Sequence, residues 1–260
     1  MTQDTQTSIL DMSENMALYT LAGIENKIRF HQPVTDFDQN TVIQALDHSN
    51  LDVIRAGLDL LKTTVEDITP YTDRLIELAD NHELNLLSQA AFEAISKADD
   101  LTPFYPSIMR AVQSGKLNII LNALKVIEYK IDRSNVLYTA APEEIEILKY
   151  VLDDQTACYF GTDPQILALF IIQDIEDKTP FIDQLNSFLV DRLYSQNLRE
   201  RAISNMIAAD DISPFREALE SYSAHFTIAS THIKKELGAL GIAVKKNPLE
   251  YSNPTTPEQS

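Results

Sequence analysis

Four short stretches of this chain read almost alike: Glu66-Asp67-Ile68-Thr69-Pro70-Tyr71, Asp99-Asp100-Leu101-Thr102-Pro103-Phe104, Glu176-Asp177-Lys178-Thr179-Pro180-Phe181 and Asp210-Asp211-Ile212-Ser213-Pro214-Phe215. Each consists of two acids, one further residue, Thr or Ser, Pro and an aromatic. The chemistry of this pattern is that of a helix start. A Thr or Ser hydroxyl can cap backbone N–H groups that lack partners in a first helical turn, and Pro suits the first helical position because its missing N–H is not needed there. The upstream acids lie at the positive end of the new helix, and the aromatic is placed to pack into a neighbouring layer. A helix start that recurs along the chain predicts one structural unit used several times.

The prolines give the period. Pro70 to Pro103 is 33 residues, Pro103 to Pro142 is 39, Pro142 to Pro180 is 38 and Pro180 to Pro214 is 34, with Pro33 a further 37 residues upstream of Pro70. Ala141-Pro142-Glu143-Glu144 is a degenerate copy without hydroxyl or aromatic, so the fourth unit is the irregular one. A second landmark falls between the prolines: Asn50-Leu51-Asp52, Glu83-Leu84-Asn85, Lys116-Leu117-Asn118 and Asn197-Leu198-Arg199. Each opens an apolar-periodic stretch at helical spacing. Every unit therefore reads as helix, polar turn, helix. Small residues recur in the second helix, at Ala56 and Gly57, Ala90 and Ala91, and Ala123, where they let helix axes come close as layers stack.

Only 6 Gly occur in 260 residues while 44% are hydrophobic, a composition that favours helices and is sufficient for a core. With a two-helix unit, a Pro in its first helix and a second helix beginning Asn50-Leu51-Asp52-Val53-Ile54-Arg55-Ala56, the chain resembles the HEAT and armadillo-type α-solenoids. The resemblance implies an all-α, right-handed α-α superhelix of about six helix pairs and specifies a fold without an activity. It extends over a single domain, 1–246, with residues 1–32 as an N-terminal cap containing the apolar-periodic stretch Met16 to Ile24, and 33–246 as repeats. Departures are the missing Arg after Asn85 and Asn118, where the first unit pairs Asp52 with Arg55, and a long turn from Asp153 to Asp163. Residues 247–260 have the composition of a flexible tail.

The start of the chain lacks the basic, apolar plan of a secretory signal, and its longest apolar run, Ile166 to Ile172, is far short of the roughly 20 residues that span a bilayer. The single cysteine, Cys158, offers neither an internal disulfide nor a thiolate metal cluster, so a reducing cytoplasm is the expected compartment. A net charge of −18 would repel nucleic acid and anionic membranes. No phosphate loop, zinc-protease helix or nucleophile elbow is present. The five histidines are scattered, His48 and His82 read as solvated turn residues, and Cys158 beside Tyr159 and Phe160 reads as a small apolar group. No catalytic residue, cofactor or metal ligand is expected.

Outward positions of the second helices form a ladder: Asp52, Arg55 and Asp59, then Asn85 and Gln89, then Asn118, Asn122 and Lys125, and near the end Arg199 and Asn205. Asn is a poor helix former, so its recurrence costs a few tenths of a kcal/mol at each position with no structural return. The expected function is a non-catalytic protein-binding scaffold or adaptor that uses this concave face. The alternative is an acidic inhibitor or immunity-type protein that neutralises a basic partner such as a nuclease or toxin. The local balance from Asp36 to Asp100, 14 acids against Arg55, Lys62, Arg74 and Lys97, gives that alternative its charge.

Overall fold

The computed structural model describes residues 8–134, 137–153, 164–190 and 194–245. All its regular elements are helical, and among the described residues the sole strand-like pairing is an isolated bridge between Tyr138 and Ile175. The chain divides into two compact units, Met1–Asn135 and Val136–Ser260.

The first unit contains α1 (Glu14–Arg29), α2 (Asp36–Ala45), α3 (Leu51–Thr64), α4 (Thr72–Asp80), α5 (Asn85–Ile95), α6 (Tyr105–Val112) and α7 (Leu117–Asp132). Helices α2 and α3, α4 and α5, and α6 and α7 form hairpins, and the second members α3, α5 and α7 pack successively on one another. Helix α1 covers the free side of α3 with Ala17, Leu21 and Ile24. The second unit contains α8 (Pro142–Asp153), α9 (Pro164–Gln173), α10 (Ile182–Val190), α11 (Gln196–Ile207), α12 (Arg216–His225) and α13 (Thr231–Ala239). Here α8 pairs with α9 and α10 with α11, while α9, α11 and α13 pack in one row and α8, α10 and α12 in another.

The four aromatic-proline motifs adopt one geometry. Thr69–Tyr71, Thr102–Phe104, Thr179–Phe181 and Ser213–Phe215 each form a 3-10 turn with Pro at its start, leading directly into α4, α6, α10 and α12. The cap differs from the expected one: the residue in the cap position is Ile68, Leu101, Lys178 or Ile212, none of which caps through its side chain, and the Thr or Ser is already the first residue of the turn. The second acid does the work instead: Asp67, Asp100, Asp177 and Asp211 each accept the N–H of the Thr or Ser two residues on, at 2.9 Å in all four copies. Hydrogen bonds from the Thr or Ser side chain and N–H hold all four carboxyls below the ordinary aspartate value. Behind Pro, Phe104, Phe181 and Phe215 are buried, and Tyr71 is half-buried.

The degenerate copy starts its helix by another device. Glu144 is fully buried; its carboxylate accepts the Ala141 N–H at 2.8 Å and the Tyr138 hydroxyl at 3.2 Å, so a side chain from inside the first turn supplies the missing cap. Asn50 and Ser195 cap α3 and α11 through their own side chains. Polar ties join successive hairpins of the first unit, Arg74 donating to Leu46 O at 2.7 Å and Arg110 pairing with Asp80 at 2.6 Å; inside the α4–α5 hairpin, buried Ser88 donates to Ala79 O at 2.6 Å.

Gly57 marks a close approach, but inside a hairpin and not where layers stack. A Cβ there would stand 2.9 Å from Ala45 Cβ and 3.3 Å from Val42 O, so α2 can lie against α3 only because position 57 has no side chain. His48 also departs from expectation. It is buried, its Nδ1 accepts the Asn50 N–H at 3.0 Å, and the proton on Nε2 therefore faces Met12 O at 3.4 Å. The long turn with Cys158 and the tail 247–260 lie outside the described residues.

Candidate interaction surface

Helices α3, α5 and α7 are amphipathic, and tight packing of Val53, Leu58, Ala91, Ile95, Ile119 and Ala123 leaves one polar face of each turned outward. The ladder residues of the first unit lie on that face. Asp52, Arg55, Asp59, Asn85, Asn118 and Lys125 are exposed, and Gln89 and Asn122 are half-exposed.

These eight residues fall into two groups. Asp59 and Gln89 belong to an internal network in which Lys62 reaches Glu93 at 2.7 Å and Asp59 at 3.2 Å, while Gln89 donates to Glu93 at 3.0 Å. Burial works against the Lys62 charge, but its bonds to Glu93 and Asp59 outweigh it and hold the pKa above the ordinary lysine value. The bond from Lys62 likewise holds Glu93 low. This network ties α3 to α5 and occupies the polar groups it contains. By contrast, the side chains of Asp52, Arg55, Asn85, Asn118, Asn122 and Lys125 form no hydrogen bond or ion pair among the described residues.

The free residues border two hollows. Asp52, Arg55 and Asn85 rim one of about 330 Å³ between the starts of α3 and α5, with Leu51 and Leu86 exposed beside them. Asn122 and Lys125 border another of about 230 Å³ between α5 and α7, together with Glu93 and Tyr129. Within it Glu128 has its pKa raised, by burial first and then by Asp132. Lys97, from α5's C-terminal end, bonds the Tyr129 hydroxyl and holds that phenol below its ordinary value.

The two ladder residues of the second unit are placed differently. Arg199 is half-buried with its guanidinium 5.6 Å from the Phe226 ring. Asn205, counted outward by the helical period, is buried: its amide donates to Leu169 O at 3.0 Å and to Arg201 O at 3.1 Å, pinning α11 to α9. The period of an isolated helix cannot show that a neighbouring helix covers its flank. Two features escaped the sequence reading. One is the exposed pair Leu51 and Leu86. The other is Arg201, whose guanidinium lies 3.6 Å over the Phe170 ring; its signal in the sequence is an Arg with no acid three or four residues away, only Asn197, Leu198, Ser204 and Asn205.

Among the described residues, no three His, Cys, Asp or Glu side chains gather into a group that could hold a metal ion, and no helix is long and apolar enough to cross a membrane. Compared with family models, with curated proteins and with solved structures, the chain matches none.

Proposed function

We propose that the chain is a non-catalytic protein-binding scaffold or adaptor of HEAT-like, right-handed solenoid architecture, which recognises its partner on the second-helix face of the first unit. The observation that supports this reading is the set of solvent-facing polar side chains without a hydrogen bond or ion pair among the described residues, Asp52, Arg55, Asn85, Asn118, Asn122 and Lys125, carried on three successively packed helices and flanked by exposed Leu51 and Leu86. Apolar anchors beside free polar groups on a rigid support are the makings of an interface. Asn122, in the interior of α7, also weakens its helix by a few tenths of a kcal/mol, while Asn85 and Asn118 stand in first turns.

The test is a variant carrying Arg55→Ala, Asn85→Ala, Asn118→Ala and Asn122→Ala. Because none of the four side chains forms a hydrogen bond or ion pair among the described residues, the variant's melting temperature should stay close to that of the parent chain. Partner recovered from a cytoplasmic extract should fall at least about tenfold, as expected when several interface side chains are lost together. Equal recovery by the two proteins overturns the proposal.

The charge supports a second reading, an acidic inhibitor or immunity-type protein that covers a basic partner such as a nuclease or toxin. Glu66 and Asp67, Asp99 and Asp100, Glu176 and Asp177, and Asp210 and Asp211 are all exposed, in a chain of net charge −18. This reading requires affinity to fall steeply from low to high salt, whereas recognition through Asn and Leu changes little.

A further inference from the structure

In the second unit a cleft of about 440 Å³ opens between α9, α11 and α13, within the roughly 300–1,000 Å³ common for small-molecule sites. We propose that it binds a free α-amino acid with an apolar side chain, the carboxylate held by Arg201 and the ammonium by Glu236.

Arg201 is the first reason. In a chain with 39 acids against 21 bases, its half-buried guanidinium has no carboxylate partner and no hydrogen bond among the described residues. Its Nε is shut off from water without an acceptor, while its terminal nitrogens stay accessible on the cleft wall. The guanidinium stands 3.6 Å from the Phe170 ring centroid, a cation–π contact that favours this position of the fork. Below, Asn205 fastens the backbone of Arg201 and α9 together. A fixed, unpaired guanidinium is suited to a two-oxygen acid.

Glu236 is the second reason. It lines the same cleft without forming an ion pair with Arg201, and among the described residues its carboxylate meets the His232 ring at 3.9 Å. Opposite charges held apart in one cleft leave room for a ligand that carries both signs. A phosphate fits less well, since its second negative charge would be set against the Glu236 carboxylate in the same cleft. Leu169, Ile207, Ala208 and Ile233 supply an apolar part of the wall for the ligand's side chain, beside the polar Gln173, Ser204, Asn205 and His232.

The experiment is calorimetric or NMR titration of the full chain with leucine, N-acetyl-leucine and leucinamide. Leucine should bind saturably, and each derivative, lacking one of the two charges, should bind at least about tenfold more weakly. Arg201→Gln should abolish the preference for leucine over leucinamide, and Glu236→Gln the preference for leucine over N-acetyl-leucine. The ligand series on the unaltered chain decides the matter even where a variant folds poorly. Absence of leucine binding at millimolar concentration overturns the proposal, as does equal affinity for N-acetyl-leucine, which would mark a site for carboxylates alone.

Discussion

At the scale of single residues, the second acid of each repeated motif carries more of the structure than the hydroxyl that follows it. Asp67, Asp100, Asp177 and Asp211 have folded pKa values below 3.8, so their contribution is complete above that pH and is lost as pH falls through the folded values. Changing all four to Asn keeps an acceptor for the Thr or Ser N–H but removes the charge. The melting temperature of that variant should depend less on pH on the acid side than that of the parent; identical acid limbs would refute this role. Lys178 presents the opposite case. It stands where the other copies have Ile68, Leu101 and Ile212, and it is buried with its ammonium donating to Ile175 O at 2.7 Å. Burial lowers its pKa, and the nearby Asp210, Asp174 and Asp177 only partly oppose that. Above its folded value the unfolded chain holds the extra proton, so stability should rise as pH climbs toward 10.5. In Lys178→Met that rise should disappear, as read from denaturant midpoints across the alkaline range.

At the scale of elements, the starting turns fix where four of the helices begin, and their aromatics fix how those helices dock. Phe181 is fully buried, so Phe181→Ala should lower stability by about 3–5 kcal/mol. Tyr71 occupies the same motif position half-buried, and Tyr71→Ala should lower it by about 1–2 kcal/mol; equal losses in urea titration would refute the dependence on burial. Helix starts, hairpins and the polar face of α3, α5 and α7 were legible in the sequence because proline, aromatic and leucine spacing is a local record. Choices between neighbouring groups were not. Sequence shows an acid and a hydroxyl side by side at each motif, and only geometry shows that the acid caps. Nor does it show that α9 lies over Asn205, or that Asp59 and Gln89 are drawn into the Lys62–Glu93 network while Asn85 and Asn118 stay free.

At the scale of the whole molecule, the net charge of −18 opposes compactness, since most of its acids face solvent. Raising sodium chloride from about 20 mM to 300 mM shortens the screening length from roughly 20 Å to below 8 Å. The melting temperature should then rise by at least about 2 °C; a fall would mean that attractive pairs such as Arg110 with Asp80 outweigh the repulsion. The boundary at residue 135 falls just before the degenerate motif Ala141-Pro142-Glu143-Glu144, although the motifs to either side, ending in Phe104 and Phe181, are alike. Each Asp-to-Thr or Asp-to-Ser turn draws on neighbours within five residues, so the instruction travels with its own segment. A tandem copy of one such segment brings a complete starting instruction with it, and inheritance can lengthen a protein of this kind in whole steps while leaving every older junction as it was.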